Sequence, residues 1–386
     1  MTLLCFFGGL TLLSLGLNIW QRLAARSFAL HQPVATAKKL PPVTLLKPLK
    51  GCDEYTAECL RSWLTQDYPA PVQVLFGIVD EADPVRPVVQ ALLAEFPGLD
   101  ARLVVCPLCL GPNPKISTLM QLEPLIAHEA VVISDADVKV PPGYLAEAMT
   151  ILHRDRVGLV NSFYRYANPH NHAMWLEAIA VNADFWSQVC QSNSLRTMKF
   201  ALGAVMNLHR QTLREIGGFR VLVDYLADDN RLGLLFHHTG RRIELTRKVV
   251  DCYARPETFR EMWTHQLRWA RTIRACEPVP YFLSGLTHWP LWAGGFLTVT
   301  LGLAAPPPLW VPVGLLLACL LVRDHVARAN WRQLTGKELP SGRRAAIGER
   351  DLLGVLWWAL AFSGNTITWH GRRYRILKGG RLEPLD

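Results

Sequence analysis

Residues 130–140 read Ala-Val-Val-Ile-Ser-Asp-Ala-Asp-Val-Lys-Val, and the fold is predicted outward from this stretch. Its four leading apolar residues are mostly β-branched, which is typical of a strand buried on both faces. Asp135 and Asp137 follow at the carboxyl end, where open α/β sheets bind their ligands. Two carboxylates there can hold a divalent cation that is shared with phosphate oxygens. Such a pair also occurs as ordinary loop acids, so the surrounding chain decides between the two interpretations.

Between residues 40 and 275 the sequence alternates between strand and helix patterns. Apolar and β-branched runs predict strands at residues 43–47, 72–79, 101–105, 131–134, 157–160 and 200–208. Apolar residues at helical spacing predict helices at residues 55–66, 84–96, 115–128 and 171–191. This alternation predicts an α/β fold with a parallel, doubly wound sheet in a domain spanning residues 40–275.

An apolar segment precedes this domain. Residues 2–20 form an almost unbroken apolar run, long enough to cross a bilayer as a helix, and Arg22 and Arg26 follow it. We predict a transmembrane helix over residues 1–22. Because positive charge marks the cytosolic side of such a helix, the domain that follows is expected in the cytosol.

The C-terminal part of the chain is also apolar. Residues 281–322 contain two apolar runs around a Pro-rich turn and predict a transmembrane helical hairpin. Residues 323–386 are basic and predict a cytosolic segment. Within it, residues 352–369 are short and flanked by positive charge, which indicates a re-entrant or interfacial helix; a full span is the alternative.

The composition narrows the class of protein. Half of the 386 residues are hydrophobic, and the mean hydropathy of +0.13 is high for a soluble enzyme. A net charge of +9 suits an anionic membrane surface or nucleic acid. Because the arginines flank apolar segments and are not interleaved with aromatic residues, we expect a lipid bilayer as partner and no nucleic acid. The nine cysteines are scattered, and Cys106 and Cys109 lack a second pair nearby, which indicates ordinary thiols.

Two further acidic clusters lie in the predicted domain. Asp80 and Asp83 follow a predicted strand, where they can bind nucleoside hydroxyls or cap the next helix. Asp228 and Asp229 lie in a polar stretch, where a carboxylate can take the proton of an acceptor hydroxyl. Helix caps or solvated loop acids are the alternative interpretation of this second pair.

The last cluster is the motif His265-Gln-Leu-Arg-Trp269, just before the predicted hairpin. Arg268 offers a planar fork for phosphate oxygens, and Trp269 offers an apolar face for a sugar or lipid. An Arg-Trp pair beside a membrane segment is also a common interfacial anchor. Taken together, the clusters predict sugar transfer from a nucleoside diphosphate, which needs a nucleoside pocket, a cation at the diphosphate and a base for the acceptor.

Several stretches resemble one family of membrane enzymes. They are Lys47-Pro-Leu-Lys-Gly51, Asp67-Tyr-Pro69, Asp80 to Pro84, Asp100-Ala-Arg-Leu103, Asn113-Pro-Lys-Ile116, Ser134-Asp135, Val157-Gly-Leu-Val160 and His265 to Trp269. The chain resembles the membrane-bound family-two-type glycosyltransferases of the GT-A fold. It is more closely similar to the ceramide glucosyltransferase family, including bacterial members associated with hopanoid biosynthesis. The resemblance implies a UDP-sugar donor, a membrane lipid acceptor and a divalent cation, Mg²⁺ or Mn²⁺.

The resemblance also implies roles for single residues. Asp80 or Asp83, with Lys115 and Asp135, would bind the nucleotide sugar, and Asp137 would complete the metal motif.

Asp229 matches the catalytic base, with Asp228 as a neighbouring acid. His265, Gln266, Arg268 and Trp269 match the motif at the diphosphate and acceptor. His265 departs from the family pattern, since relatives carry Gln or Arg there and a neutral imidazole offers no constant positive charge.

We therefore expect an inverting, single-transfer glycosyltransferase in the bacterial inner (cytoplasmic) membrane. The first expectation is transfer of N-acetylglucosamine to a hopanoid polyol such as bacteriohopanetetrol, and UDP-glucose with ceramide is the alternative pair. A processive polysaccharide synthase shares the aspartates, but it must move its polymer through the membrane. The few predicted transmembrane helices are too few to enclose a channel for that polymer. A non-catalytic scaffold is disfavoured because the chain keeps acids at all three aspartate positions.

Overall fold

The computed structural model describes residues 2–303, 306–369 and 371–385, which form two compact units. The sheet unit comprises Ala29–Asn168, Arg196–Arg255 and Arg372–Asp386. The helical unit comprises Met1–Phe28, Pro169–Leu195 and Pro256–Gly371. Residues 304–305 of the predicted hairpin, and residues 1, 370 and 386 at the edges of predicted segments, lie outside the described residues.

The elements are numbered in chain order. The helices are α1 (Thr2–Ser27), α2 (Thr56–Leu64), α3 (Val85–Glu95), α4 (Pro114–Leu122), α5 (Tyr144–Leu152), α6 (His172–Ile179), α7 (Trp186–Leu195), α8 (Arg210–Glu215), α9 (Asp228–His238), α10 (Phe259–Cys276), α11 (Pro278–Ser284), α12 (Trp289–Leu301), α13 (Trp310–Thr335) and α14 (Ala345–Leu360). The strands are β1 (Val43–Pro48), β2 (Val72–Ile78), β3 (Asp100–Val105), β4 (Ala130–Ser134), β5 (Val138–Lys139), β6 (Val157–Asn161), β7 (Tyr164–Tyr166), β8 (Val205–His209), β9 (Arg242–Leu245), β10 (Val250–Cys252), β11 (Thr366–Trp369), β12 (Arg372–Ile376) and β13 (Leu382–Pro384).

A seven-stranded sheet in the order β3-β2-β1-β4-β8-β6-β9 forms the centre of the sheet unit. β3, β2, β1 and β4 run parallel, as do β6 and β9, which confirms the α/β prediction for most of the sheet. β8 pairs antiparallel with both β4 and β6, so the sheet is mixed and not wholly parallel. Apolar patterning indicates where a strand lies but carries no information on its direction, and the sequence therefore could not predict this reversal.

Most of the predicted strands and helices of the sheet unit are present with small shifts at their ends. Two predictions are wrong at one end: β8 begins only at Val205, and the helix predicted at residues 115–128 ends at Leu122 and is followed by a 3₁₀ turn at Glu123–Leu125. In the helical unit, the predicted helix at residues 171–191 consists of α6, a π-helical segment (Ala180–Phe185) and α7. Residues 366–369 form strand β11 and do not continue a helix, so the helical prediction for residues 352–369 is wrong at its C-terminal end. α14 ends at Leu360, a 3₁₀ turn follows at Ala361–Ser363, and the backbone is extended at Gly364.

Among the described residues, two helices are long and apolar enough to cross a membrane, α1 and α13. α13 extends past residue 322, where the predicted hairpin was expected to end. The other arm of that hairpin is divided between α11 and α12, and α12 has 13 residues, fewer than the roughly 20 that a perpendicular span needs.

α1 buries polar and small residues and exposes apolar ones, which is the reverse of a surface helix in a soluble protein. Its buried residues are polar or small: Thr11, Ser14, Asn18, Gln21, Ala24 and Ala25. Its exposed residues include Leu3, Phe6, Leu12, Leu13, Ile19 and Leu23. Gln21 donates to the Ser187 hydroxyl at 2.7 Å, and Arg22 donates to Asn330 and Gln333 at 3.1 and 2.6 Å. Small and polar contacts inside with apolar residues outside are typical of helices that pack within a bilayer.

A buried charge network lies inside the helical unit. The Arg323 guanidinium donates to both carboxylate oxygens of Asp184, at 2.7 and 2.9 Å. It also donates to Asp351. The Asp351 carboxylate accepts a further hydrogen bond from the Trp289 indole N–H, at 2.7 Å. Because Arg323 is almost fully buried within α13, these paired carboxylates are what makes its charge tolerable there.

Gly233 in α9 allows this helix to approach the backbone of residues 200–201. A Cβ at position 233 would lie 2.4 Å from backbone atoms of Phe200 and Ala201. We expect Gly233→Ala to lower the free energy of unfolding by about 1–3 kcal/mol, because backbone cannot yield as a side chain can. Gly98→Ala is the control, since a Cβ there meets no atom within 4 Å. Thermal unfolding in detergent checks both, and equal melting temperatures would contradict the packing argument.

Candidate functional site

The candidate site of the sheet unit lies at the carboxyl ends of its central strands. Asp135 follows the last residue of β4, and its N–H donates to the Ala204 carbonyl at 3.2 Å. β1 and β2 run parallel to β4, so the Lys47–Gly51 stretch and Asp80 lie at the same edge of the sheet. This is the edge at which α/β sheets bind ligands.

Lys115 links two acidic clusters that are far apart in the sequence. Its Nζ lies 2.6 Å from Asp135 Oδ1 and 3.6 Å from Asp228 Oδ2. Burial alone would lower the pKa of Lys115, but the two carboxylates outweigh burial and raise it. Lys115 is therefore a permanent cation between Asp135 and Asp228.

Asn113 fixes the position of Lys115. Its Oδ1 accepts from the Ile116 N–H at 3.2 Å, which caps the N-terminus of α4. Its Nδ2 donates to the Tyr225 carbonyl at 2.8 Å and to Asp228 Oδ1 at 3.4 Å. One fully buried side chain thus connects the first turn of α4 to the start of α9.

Asp228 and Asp229 occupy the first turn of α9, where the helix dipole favours negative charge. Asp229 Oδ1 accepts from the Asn230 N–H at 2.7 Å. Burial and the neighbouring Asp228 carboxylate raise the pKa of Asp229 to about 7. Burial also raises the pKa of Asp228, against the opposing charge of Lys115. A carboxylate with a pKa near neutrality is suited to accept a proton at neutral pH.

Lys47 is a buried lysine next to the Asp135–Asp137 pair. The side chain is fully buried, and its Nζ donates to Ser134 Oγ at 3.1 Å and to the Asp135 carbonyl. Burial lowers the pKa of Lys47 to about 8 despite the nearby carboxylates. Water reaches the Asp137 side chain, yet desolvation by the surrounding protein and the Asp135 charge raise the pKa of Asp137 to about 6.

The donor atoms of this group fit a divalent cation. Two ammonium groups face four carboxylates, the residues being Lys47, Lys115, Asp135, Asp137, Asp228 and Asp229. Asp228 Oδ2 is buried and has no hydrogen-bond donor among the described residues. Excess negative charge on hard oxygen ligands is the environment that Mg²⁺ and Mn²⁺ prefer.

Asp80 and Asp83 have mainly local partners. Both Asp83 oxygens accept from the Gly51 N–H, at 3.0 and 3.1 Å, and Oδ1 also accepts from the Val85 N–H at 2.9 Å. Asp83 therefore ties the loop after β1 to the first residue of α3. Asp80 is exposed, and its Oδ1 accepts from the Ala82 N–H at 2.9 Å.

The His265–Trp269 motif belongs to the helical unit and lies on α10. Glu177 on α6 accepts from two of its side chains: His265 Nδ1 and Glu177 Oε1 are 2.7 Å apart, and Gln266 Nε2 donates to the same oxygen at 3.0 Å. Trp269 packs edge-on against the His265 ring, with centroids 5.0 Å apart. Burial lowers the pKa of Arg268, while Glu177 and Glu257 oppose this.

Glu177, Glu257 and His265 bring their donor atoms within 4.8 Å of one another, a spacing at which a metal ion could bind. Burial raises the pKa of Glu257 to about 7, with a further contribution from the Glu177 charge. Glu177 accepts hydrogen bonds from His265 and Gln266, and Arg268 lies nearby, so these side chains offset part of the negative charge of the cluster.

Sequence reasoning missed several residues of these sites. Lys47 and Asn113 lie in the stretches that carried the resemblance, but no role was assigned to them. Their own sequence signals were a lysine inside an apolar strand and an Asn-Pro helix start. Glu177 and Glu257 gave no local signal, since only the fold brings α6 beside α10.

Comparison with known sequences decides the family. Residues 8–382 match the sequence profile of Glycosyl transferase family 21. The chain belongs to this family. Family 21 membership confirms the resemblance drawn from the Lys-Pro-Leu-Lys-Gly, Asn-Pro-Lys and Arg-Trp stretches.

Two curated relatives are ceramide glucosyltransferases. Ceramide glucosyltransferase 1 of Caenorhabditis elegans is 26% identical over 216 residues, which cover 52% of this chain and 43% of the relative. The ceramide glucosyltransferase of Komagataella phaffii is 32% identical over 162 residues, covering 38% of this chain and 32% of the relative. The matched regions thus span less than half the length of either relative.

A solved structure shows the fold of this family 21 chain. A mannosyltransferase from Pyrobaculum calidifontis, determined with GDP-Man and Mn²⁺, superposes with a TM-score of 0.53 at 19% identity. The alignment covers 94% of this chain and 97% of that one. This likeness confirms the predicted GT-A fold.

Asn113 offers a direct test of how the site is assembled. We expect Asn113→Ala to lower the free energy of unfolding by about 1–3 kcal/mol, because α4 loses its cap and the Tyr225 carbonyl loses the donor from the buried Asn113 side chain. Asn193→Ala, at an exposed position of α7, is the control. Thermal unfolding of both variants in detergent is the measurement, and equal stability would show that Asn113 does not hold α4 and α9 together.

Proposed function

We propose that this chain transfers one sugar from a UDP-sugar to a hydroxyl of a membrane lipid, with inversion at the anomeric carbon. The observation that carries the proposal is the Lys115-centred group of carboxylates at the sheet edge. Membership of glycosyl transferase family 21 supports the class of reaction. The inverted polarity of α1 supports a membrane location for the acceptor.

Asp229 is the proposed base. Its raised pKa, about 7, lets the carboxylate take a proton from the acceptor hydroxyl as the oxygen attacks the sugar. Attack opposite the departing diphosphate inverts the anomeric configuration. Asp228 stays paired with Lys115 and Asn113 and serves to hold Asp229 at the start of α9.

Asp135 and Asp137 are the proposed ligands of a divalent cation, Mg²⁺ or Mn²⁺. Such a cation would supply charge neutralisation to the leaving diphosphate. Lys115 adds a fixed positive charge beside Asp135. On the nucleoside side we propose Asp80, since the Asp83 carboxylate is occupied by backbone N–H groups.

The domain organisation is part of the proposal. We propose that α1 crosses the membrane, that residues 281–322, with α12 and the first part of α13, enter and leave it as a hairpin, and that the α14 region is interfacial or re-entrant. The catalytic domain, residues 40–275, then lies in the cytosol, as Arg22 and Arg26 at the end of α1 indicate. The His265–Trp269 motif on α10 would bind the diphosphate and acceptor.

The favoured donor and acceptor are UDP-glucose and ceramide, because the curated relatives reported above are ceramide glucosyltransferases. The pair first expected from the sequence, UDP-N-acetylglucosamine with a hopanoid polyol in a bacterial inner membrane, is the second pair to test. Both pairs of donor and acceptor would use the same proposed base and cation ligands. Only the donor sugar and the lipid would differ.

The deciding experiment offers both UDP-sugars, with ceramide and with bacteriohopanetetrol, to membranes that contain the protein. Mass spectrometry of the lipids is the readout. We expect a lipid carrying a single sugar, and Asp229→Asn should reduce its rate of formation by about 10²–10⁴-fold because the base is lost. Asp224→Asn is the matched control, since the Asp224 side chain is partly exposed and forms a long ion pair with Arg381, at 3.8 Å.

Each alternative has its own outcome in this experiment. A polymer would point to a processive synthase and contradict single transfer. An undiminished rate in Asp229→Asn would refute the assignment of the base. No product from any of the four donor and acceptor combinations would contradict the proposed reaction.

Removal of divalent cations gives an independent test. Excess EDTA should abolish transfer and added Mn²⁺ or Mg²⁺ should restore it, because the carboxylates at the site otherwise repel the diphosphate. Asp137→Asn should raise the cation concentration needed for half-maximal rate by about tenfold, as one ligand is lost. Asp224→Asn again serves as control. Full activity in EDTA would sink the metal assignment.

A further inference from the structure

Glu177 contacts two side chains of the His265–Trp269 motif, His265 and Gln266, through a single oxygen. It lies on α6, far from the motif in sequence, and is 2% exposed. Its second oxygen, Oε2, is buried without a hydrogen-bond donor among the described residues. The hydrogen bonds from His265 and Gln266 help to stabilise a carboxylate buried this deeply.

The surrounding contacts hold α6 and α10 in register. Asn171 caps α6 by accepting from the Met174 N–H at 3.1 Å, and its amide donates to the Glu257 carbonyl at 2.8 Å. Thr258 then caps α10 through a reciprocal pair with Glu261. The capped starts of α6 and α10 therefore help to place Glu177 next to the His265–Trp269 motif.

The bond to Glu177 determines which ring nitrogen of His265 is available. Nδ1 faces Glu177 Oε1 at 2.7 Å, so the proton of a neutral ring resides on Nδ1. Nε2 has no hydrogen-bond partner among the described residues, and the side chain is 29% exposed. Trp269 stands edge-on beside the same ring. The free nitrogen is thus fixed in direction and open to a ligand.

We propose that His265 Nε2 accepts a hydrogen bond from a second hydroxyl of the lipid acceptor, not the one that attacks the sugar, and that Glu177 is the positioning residue that directs it. This inference rests on the proposed function and deepens it. It also gives chemical sense to the departure of His265 from the family pattern. A Gln side chain carries its own acceptor oxygen, whereas a histidine needs a carboxylate behind Nδ1 to keep Nε2 free as the acceptor.

Neighbouring charges are consistent with this arrangement. Glu257 and Arg268 lie beside Glu177, and their opposite charges offset each other. His265 binds the acceptor in this scheme without taking a proton from it.

The kinetic test compares Glu177→Gln, His265→Gln and the double variant in the lipid transfer assay. We expect Glu177→Gln to raise the KM for the lipid by about tenfold, the equivalent of one lost hydrogen bond, and to leave the KM for the UDP-sugar unchanged. In the His265→Gln background the same change should alter the lipid KM by less than about threefold, because Glu177 acts through the imidazole. Glu177→Asp, which keeps the charge, should recover part of the loss.

The chain supplies a matched control. His172 and Glu349 form a second pair at 2.8 Å in the helical unit, but both side chains are about half exposed. Glu349→Gln should leave both KM values unchanged. Equal losses from Glu177→Gln in the wild-type and His265→Gln backgrounds, accompanied by a lower melting temperature, would show a merely structural role and overturn the inference.

A spectroscopic test is independent of turnover. ¹⁵N NMR of histidine-labelled protein in nanodiscs should show Nδ1 protonated and Nε2 unprotonated for His265, whose signal among the twelve histidines is identified by its loss in His265→Gln. In Glu177→Gln the two tautomers should mix. An unchanged tautomer would contradict the positioning role even if transfer proceeds. Lipid transfer failing with every donor, with the tautomer as expected, would contradict the proposed function and the acceptor contact while leaving the Glu177–His265 arrangement intact.

Discussion

The ion pairs of Lys115 are the interaction on which the site of the sheet unit depends. One ammonium neutralises a carboxylate that follows β4 and another that begins α9. Without it, the Asp135 and Asp228 carboxylates would repel each other, which would destabilise the start of α9 at the sheet edge. The Asn113 cap places this ammonium, so a helix start and an ion pair together determine where Asp229 lies.

In each unit, buried charged side chains are stabilised by ion pairs, but the balance of charge differs. In the sheet unit a cation lies between acids that it does not fully balance, which leaves room for a metal. In the helical unit Arg323 is enclosed by Asp184 and Asp351, and each of its three guanidinium nitrogens donates to one of these carboxylates. The first arrangement is open to added positive charge, whereas the second is closed and serves packing.

The sequence supported the α/β class, most strand and helix positions and the acidic clusters, because burial periodicity and strand-end acids are local signals. Asp135 and Asp228 were both selected, and the structure brings them to one lysine. The direction of β8, the extension of α13 and the role of Glu177 were not predictable. Each depends on which distant element becomes a neighbour, and periodicity does not encode that. The comparisons added the family, while the sequence-based preference for a hopanoid acceptor remains a prediction.

The polar inner face of α1 has a consequence for anyone who shortens this protein. Gln21 and Arg22 are the partners of Ser187, Asn330 and Gln333, so a chain without α1 would leave several amides and a hydroxyl facing an apolar gap. The N-terminal helix is therefore a packed part of the helical unit and not merely a membrane anchor. Trimming it to gain solubility would remove part of the scaffold that the remaining helices are built against.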